Sequence, residues 1–411
     1  MAEAPIKYGT NKSDLTKILN SAITKWDGFI YQGLCAICVV LQQIIEDMEC
    51  AKSRYINLEG FDDFAVLDEN KNILSFHQAK CYKPLKPNFE EDMALMEDKR
   101  QYWHEKGMCT SNAELYFHCN RVICCHHNVS QYRYSNNKVA MSPMEILEWI
   151  ATLVSDILDK NNWAGESLQI RDSLISLFDM HVSYLDSESK KGSANDLQLS
   201  IDNSISYADI ISKIEHSDQN ITAEDRVRNI SFYLNLNLQE RILDETDDVA
   251  NISKVERFLD AYNRLSKVKK QNVVKRLFPH FDVEGRQTNI GDLTNQEVAN
   301  YLYNVLTQTE MMNLDELHWE VSGQLHSPST LGKSTPSKNY CGKIVKNMAS
   351  LPPELLRDYR WIVGDITETI SDIFESAHAI NKISDEDYNN ISKSRKIGLL
   401  TIQDKNNGNI S

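Results

Sequence analysis

The sequence predicts an α+β chain, with a mixed sheet flanked by helices in the first half and a mostly α-helical second half. Three observations carry this expectation. The stretch Leu58 to Lys80, LEGFDDFAVLDENKNILSFHQAK, reads as two apolar strands joined by a turn; the segments around it repeat apolar residues at helical spacing; and beyond about residue 216 the helical period takes over almost entirely. A strand, helix, strand order gives a sheet with helices on its faces. The 411 residues suffice for two cores, and we place the domains at residues 1–215 and 216–411.

Residues 1–27 are expected to form an entry segment with a short helix capped by Ser13. From Gly28 to Met48, the residues Tyr31, Leu34, Cys35, Cys38, Leu41 and Ile45 recur at helical spacing, so this helix should cover the sheet. The strands follow at Asp63 to Asp68 and Ile73 to Cys81, with turn chemistry at Glu69, Asn70 and Lys71. Asn88 to Lys106 reads as a charged amphipathic helix stopped by Gly107, and Glu114 to Cys119 as the next strand. Ser142-Pro143-Met144-Glu145 carries capping-box chemistry with proline at the first helical position, opening a helix to about Leu158. The polar run 186–196 reads as a surface loop, the alternating LQLSIDNSI of Leu197 to Ile205 as a strand, and Tyr207 to Glu215 as a helix.

In the second half, Ala223 to Glu245, Val255 to Leu265, Asn272 to Leu277, Gln296 to Leu306 and Pro353 to Ile380 all carry the helical period. In the last, Leu355, Leu356, Trp361, Ile362, Ile366 and Ile370 supply an apolar face for a core or an intersubunit seam. Residues 326–338, HSPSTLGKSTPSK, read as a loop, and the Asn-rich tail from Gln403 as disordered. With no repeat, P-loop or Gly-rich dinucleotide fingerprint, this half reads as a helical module for partner binding and oligomerisation.

Composition narrows the classes. The longest apolar run, Leu34 to Leu41, falls far short of the roughly 20 residues a membrane span needs, and the N-terminus has no apolar signal core, so the expectation is a cytoplasmic chain without membrane contact. Nine irregularly placed cysteines argue for reduced thiols. Cys35 and Cys38 read as core packing. His118-Cys119 with Cys124-Cys125-His126-His127 matches no usual zinc spacing, and a buried strand with a polar exit is the preferred reading there. A net charge of −15 disfavours strong DNA binding by the chain alone. Positive charge is nevertheless clustered, at Lys80, Lys83 and Lys86, and again at Lys267, Lys269, Lys270, Lys275 and Arg276.

The hairpin is where chemistry concentrates. Alternate side chains of a strand share a face, so Gln78 and Lys80 project together, and the neighbouring strand can bring Asp62 or Asp63 within reach. Oxygen ligands of this kind suit Mg2+ or Mn2+, and a lysine beside the ion can hold a water or neutralise a charged phosphorane, which are the needs of phosphodiester hydrolysis.

Glu59, the pair Asp62 and Asp63, and Gln78-Ala79-Lys80 resemble the acid and QxK motif of the PD-(D/E)xK nuclease superfamily, in which glutamine often replaces the second carboxylate. Upstream, Gly28-Phe29-Ile30-Tyr31-Gln32 resembles the GxxYQ helix start of one branch, the double-stranded DNA nucleases of CBASS, Lamassu and ABC-three-component anti-phage systems. The resemblance covers roughly the first half of the chain and implies a restriction-endonuclease-like domain. It also implies metal ligation by Asp63, Gln78, Glu59 and Asp62, with Asp63 favoured over Asp62 because it directly precedes Phe-Ala-Val, and catalysis assisted by Lys80. Gln32, with Tyr31, would support the site. The implied partners are double-stranded DNA, an SMC-like ATPase and a small accessory subunit, with a homo-oligomer as the active form. Two alternatives compete: a CBASS-type nuclease gated by a cyclic oligonucleotide, whose sensor domain would be α/β, and a noncatalytic scaffold with a degenerate nuclease fold.

Overall fold

The computed structural model describes residues 26–81, 89–190, 196–216, 223–244, 249–278, 296–309, 312–313, 317–321, 324–332, 359–365 and 398–401. The proposed helix near Ser13, Lys83, Lys86 and the tail from Gln403 lie outside them. The chain divides into two compact units, Met1–Asn220 and Ile221–Ser411.

The first unit opens with helix α1 (Trp26–Glu46) and the short α2 (Met48–Ala51), then strands β1 (Tyr55–Leu58), β2 (Phe64–Leu67) and β3 (Ile73–Lys80). Helix α3 (Phe89–Glu105) crosses to β4 (Cys109–Cys119), which starts well before the expected Glu114, and β5 (Ser130–Gln131) follows. Gly107, at φ 73°, ends α3 in a conformation that glycine tolerates best. Helix α4 (Pro143–Asn161) has the complete capping box, the Ser142 side chain accepting from the Glu145 amide while the Glu145 carboxylate accepts from the Ser142 amide. Then come α5 (Ser167–Lys190), α6 (Asp196–Asp202), β6 (Ile205–Ser206) and α7 (Tyr207–Glu215).

Two expectations fail in this stretch. Residues 186–190, expected in a loop, complete the last turn of α5. Most of the expected strand Leu197 to Ile205 is helix α6, and only Ile205–Ser206 joins the sheet. Leu197 and Ile201, four residues apart, both pack on the core, so the two-residue alternation was a helical stripe too short to show its period.

The sheet order is β5-β4-β3-β2-β1-β6. The β1, β2 and β3 strands form an antiparallel meander, β6 pairs antiparallel with β1, and β3, β4 and β5 run parallel. A parallel neighbour needs a crossover, which α3 supplies. The sheet is covered on both sides, so β2 is buried throughout. Ala65, Phe76, Leu115 and Phe117 share a core with Met93, Met96 and Trp103 of α3. The opposite face, with His77 and His118, lies under α1.

The second unit is mostly helical, with α8 (Ala223–Asp244), α9 (Val249–Arg264), α10 (Lys267–Leu277) and α11 (Gln296–Gln308) near the expected positions. It also contains a four-stranded sheet that the sequence reading did not forecast. Strands β7 (Trp319–Val321), β8 (Gln324–Gly332), β9 (Tyr359–Asp365) and β10 (Gly398–Thr401) follow the order β10-β9-β8-β7. Strand β8 replaces the first part of the expected loop 326–338, and its register shifts between Pro328 and Gly332, where proline and glycine interrupt a ladder. Strand β9 overturns the helix expected over Pro353 to Ile380 at least at 359–365: Trp361-Ile362-Val363 is a continuous apolar run that suits a strand with parallel neighbours on both sides. No helix of the described residues is long and apolar enough to cross a membrane.

Candidate functional site

The β1–β2 connection carries the acids and is tightly built. Glu59 sits at φ 62°, a left-handed conformation costly for a residue with a Cβ, and its amide donates to the Asp63 carbonyl at 3.1 Å to close the loop. Gly60 follows. A Cβ there would press on Asn57 Oδ1 and Ser200 Oγ, so any larger residue has to push these two side-chain ends aside. Asn57 donates to Ser200 Oγ at 2.9 Å and Ser200 donates to the Leu58 carbonyl at 2.7 Å, which ties the loop to α6.

The loop delivers three carboxylates into a buried space. Asp63 Oδ2 accepts from Gln78 Nε2 at 2.6 Å and from the Ala79 amide at 2.8 Å, which realises the cross-strand meeting that strand alternation predicts. Asp62 Oδ1 accepts from Lys99 Nζ of α3 at 2.7 Å. Glu59 Oε2 and Asp62 Oδ2 are buried with no hydrogen-bond partner. Burial raises the Glu59 carboxyl well above the usual range, with Asp63 and Asp62 adding to the rise and Lys80 and Lys99 opposing it. Burial also lifts Asp63 to about 6; the Lys80 charge and the Ala79 amide hold it down, while Asp62 pushes it up. For Lys99, burial works against the charge, but Asp62, then Asp63 and Glu59, outweigh it and the ammonium pKa rises.

Asp63, Gln78, Lys80, Glu59 and Asp62 therefore gather at one place, with Lys80 half-buried at the end of β3. The other two sequence candidates lie on α1. Tyr31 donates to the Met141 carbonyl at 3.1 Å, and Gln32 is buried with Oε1 unpartnered. No hydrogen bond among the described residues joins either of them to Asp63, Gln78 or Lys80. Sequence reasoning missed Lys99. Its signal was a lysine on the stripe Met93, Met96, Lys99 and Trp103, all of which are buried.

The donor set suits a hard divalent cation, for it consists of carboxylates and an amide with buried oxygens left unpaired. Among the described residues, no three His, Cys, Asp or Glu side chains form a ready-made metal-binding group. Asp63 and Glu59, with the Gln78 oxygen, are the groups available to a cation, since Asp62 is already neutralised by Lys99. The zinc-like cluster does not assemble: both His118 ring nitrogens are engaged by His77 and Tyr134, and Cys124 is exposed. Nor is the later basic run one open surface, because Arg276 is buried.

A family model described as C-terminal domain 1 of the ABC-three component (ABC-3C) systems matches residues 129–370, more than half of the chain. The match starts at β5, inside the first compact unit, and runs into the second. No curated protein and no solved structure gives a significant match.

Proposed function

This chain belongs to the family defined by C-terminal domain 1 of the ABC-three component systems, and on that premise we propose that it is the DNA-cutting effector of such a system. It would act as a metal-dependent endonuclease in anti-phage or anti-plasmid defence, restrained by partner subunits and released by a change of assembly. The observation that carries the reading is the pairing of Asp63 with Gln78 beside buried Glu59, with Lys80 on the same strand face as Gln78. A stable core gains nothing from three desolvated carboxylates, two of them with an unpaired oxygen, and a site that takes a cation does.

Asp63, Glu59 and Gln78 would hold Mg2+ or Mn2+. The ion would polarise a phosphoryl oxygen and lower the pKa of a bound water. The chain's own groups supply the rest. The Ala79 amide and Gln78 fix the Asp63 carboxylate, and Lys80 places a compact positive charge where a phosphodiester gains negative charge. Double-stranded DNA is the proposed substrate. The acidic chain is expected to need help in holding it, and an SMC-like ATPase with a small accessory subunit is the proposed source of that help.

A second reading, a nuclease gated by a cyclic oligonucleotide, gains from strands β7 to β10, which remove the argument that the second half lacks strands. The family match favours the first. The test is plasmid cleavage in Mg2+ by the chain with its operon partners, comparing wild type with Lys80→Ala. Cleavage that disappears with the lysine is expected. Equal cleavage by both would remove Lys80 from the reaction, and none by wild type under every assembly tried would leave a noncatalytic scaffold.

A further inference from the structure

We propose that Lys99 is a fixed second cation of the acidic site, holding Asp62 in place of a second divalent ion, so that the site takes one divalent ion per chain. The proposal rests on the metal-binding reading above. Lys99 reaches the site from α3, an element that the hairpin motif does not include. Its Nζ lies 2.7 Å from Asp62 Oδ1, and the two side chains are 10% and 1% exposed, so this is a deeply buried ion pair. Such burial separates it from the surface pairs that contribute little and respond to salt. A desolvated ammonium is kept only where its partner is equally committed, so Asp62 Oδ1 is tied to Lys99 and only Oδ2 stays without a partner.

Charge balance points the same way. Glu59, Asp62 and Asp63 bring three negative charges when ionised, and Lys80 and Lys99 bring two positive, leaving the group one charge negative. One divalent ion turns this into a single positive charge, the complement of one phosphodiester. A second would leave three positive charges and would have to share Asp62 with an ammonium already at hydrogen-bond distance. In this arrangement Lys99 is a positioning residue. It keeps Asp62 from competing for the ion and confines ligation to Asp63, Glu59 and Gln78.

The experiment is a Mn2+ titration of the full chain, with bound and free ion counted by electron paramagnetic resonance and calorimetry. Wild type and Asp62→Asn should each bind one Mn2+ per chain, and Lys99→Met, which frees the Asp62 carboxylate, should bind two. Two ions in wild type, one in Lys99→Met, or none in Asp62→Asn would each overturn the proposal. Lys99→Gln, which removes the charge but can still donate to Asp62, is titrated beside it as the milder variant and should also bind two, and one ion there overturns the proposal as well. If wild type binds no Mn2+ at all, the metal reading of the site falls, a failure distinct from a wrong count.

Discussion

The two faces of β3 bury polar groups to opposite effect. On the α1 side, Ser75 Oγ lies 2.8 Å from His77 Nε2, His77 Nδ1 lies 3.0 Å from His118 Nε2, and His118 Nδ1 lies 2.9 Å from the Tyr134 hydroxyl. Phe64 stacks on His77 and Tyr132 on His118. Every ring nitrogen there has a partner. On the α3 side, Glu59 and Asp62 keep oxygens unpaired, and acids crowd one another. A satisfied network specifies and stiffens a core, whereas crowded acids with unpaired oxygens leave room for a water or an ion. The contrast teaches that burial of titratable groups is not itself a functional signal; the state of their hydrogen bonds is.

The sharpest way to break this contrast is to neutralise one carboxylate. Asp63→Asn should lower metal-dependent cleavage by about 10²-fold or more, the usual scale for losing a group that stabilises charge in the transition state. The folded chain should survive, because an asparagine oxygen still accepts from the Ala79 amide. Lys80→Arg should be nearly as damaging as Lys80→Ala, since a planar guanidinium does not reproduce a compact ammonium. Wild-type cleavage by the arginine variant would reduce Lys80 to a general attractor of DNA.

The faces also predict opposite pH slopes. The Asp63 carboxyl titrates near 6 in the folded chain against 3.8 as its ordinary value. Between these values the folded state holds the extra proton, so stability falls as pH rises from about 4 to about 6, by on the order of 3 kcal/mol for this group. His118 is lowered by burial from 6.5 to about 3. Here the unfolded state holds the extra proton, so stability rises with pH across that window. Thermal unfolding of Asp63→Asn against wild type isolates the first slope as the difference between the two, because buried Glu59, also raised, keeps a slope of the same sign in both. Mg2+ at about a hundred times its dissociation constant should stabilise wild type by about 2.7 kcal/mol above pH 6, and much less at pH 5, where protons compete. Equal stabilisation at both values would place the ion elsewhere.

On the histidine side, His118→Phe leaves His77 Nδ1 without its partner and takes one from Tyr134. The expected cost is roughly 1–3 kcal/mol per orphaned group in denaturant unfolding. Cleavage at a permissive temperature should stay close to wild type. A large loss of turnover in a folded His118→Phe chain would show that the two faces are not separate in function.

How far the sequence revealed these faces follows from distance along the chain. The meeting of Asp63 and Gln78 was legible because a hairpin and its two-residue alternation are local, and the capping box at Ser142 and Glu145 was legible for the same reason. Lys99 was not, because a lysine in a charged helix looks solvated until the helix is docked. The link between His77 and His118 depends on a parallel register that no local pattern encodes. In the second unit, Ser, Pro and Gly in β8 carried loop composition, while the partners that make it a strand lie at Trp319–Val321 and Tyr359–Asp365.

The smallest expected effect concerns what holds the acids in place. Ser200→Ala removes one donor to the Leu58 carbonyl and one acceptor for Asn57, so it should cost about 1 kcal/mol, the usual net value of a hydrogen bond. Turnover should fall less than in Asp63→Asn, because Asp63 is set by the Ala79 amide and by the β1–β2 ladder rather than by α6. Gly60→Ala makes the instructive comparison. It removes no hydrogen-bonding group but drives a methyl against the Asn57 and Ser200 side chains, which must shift to admit it. Denaturant unfolding and cleavage measured on both variants separate the two roles of the loop. If Ser200→Ala slows cleavage as much as Gly60→Ala does, the position of the acids depends on α6, and the unsatisfied face draws on an element beyond its own hairpin.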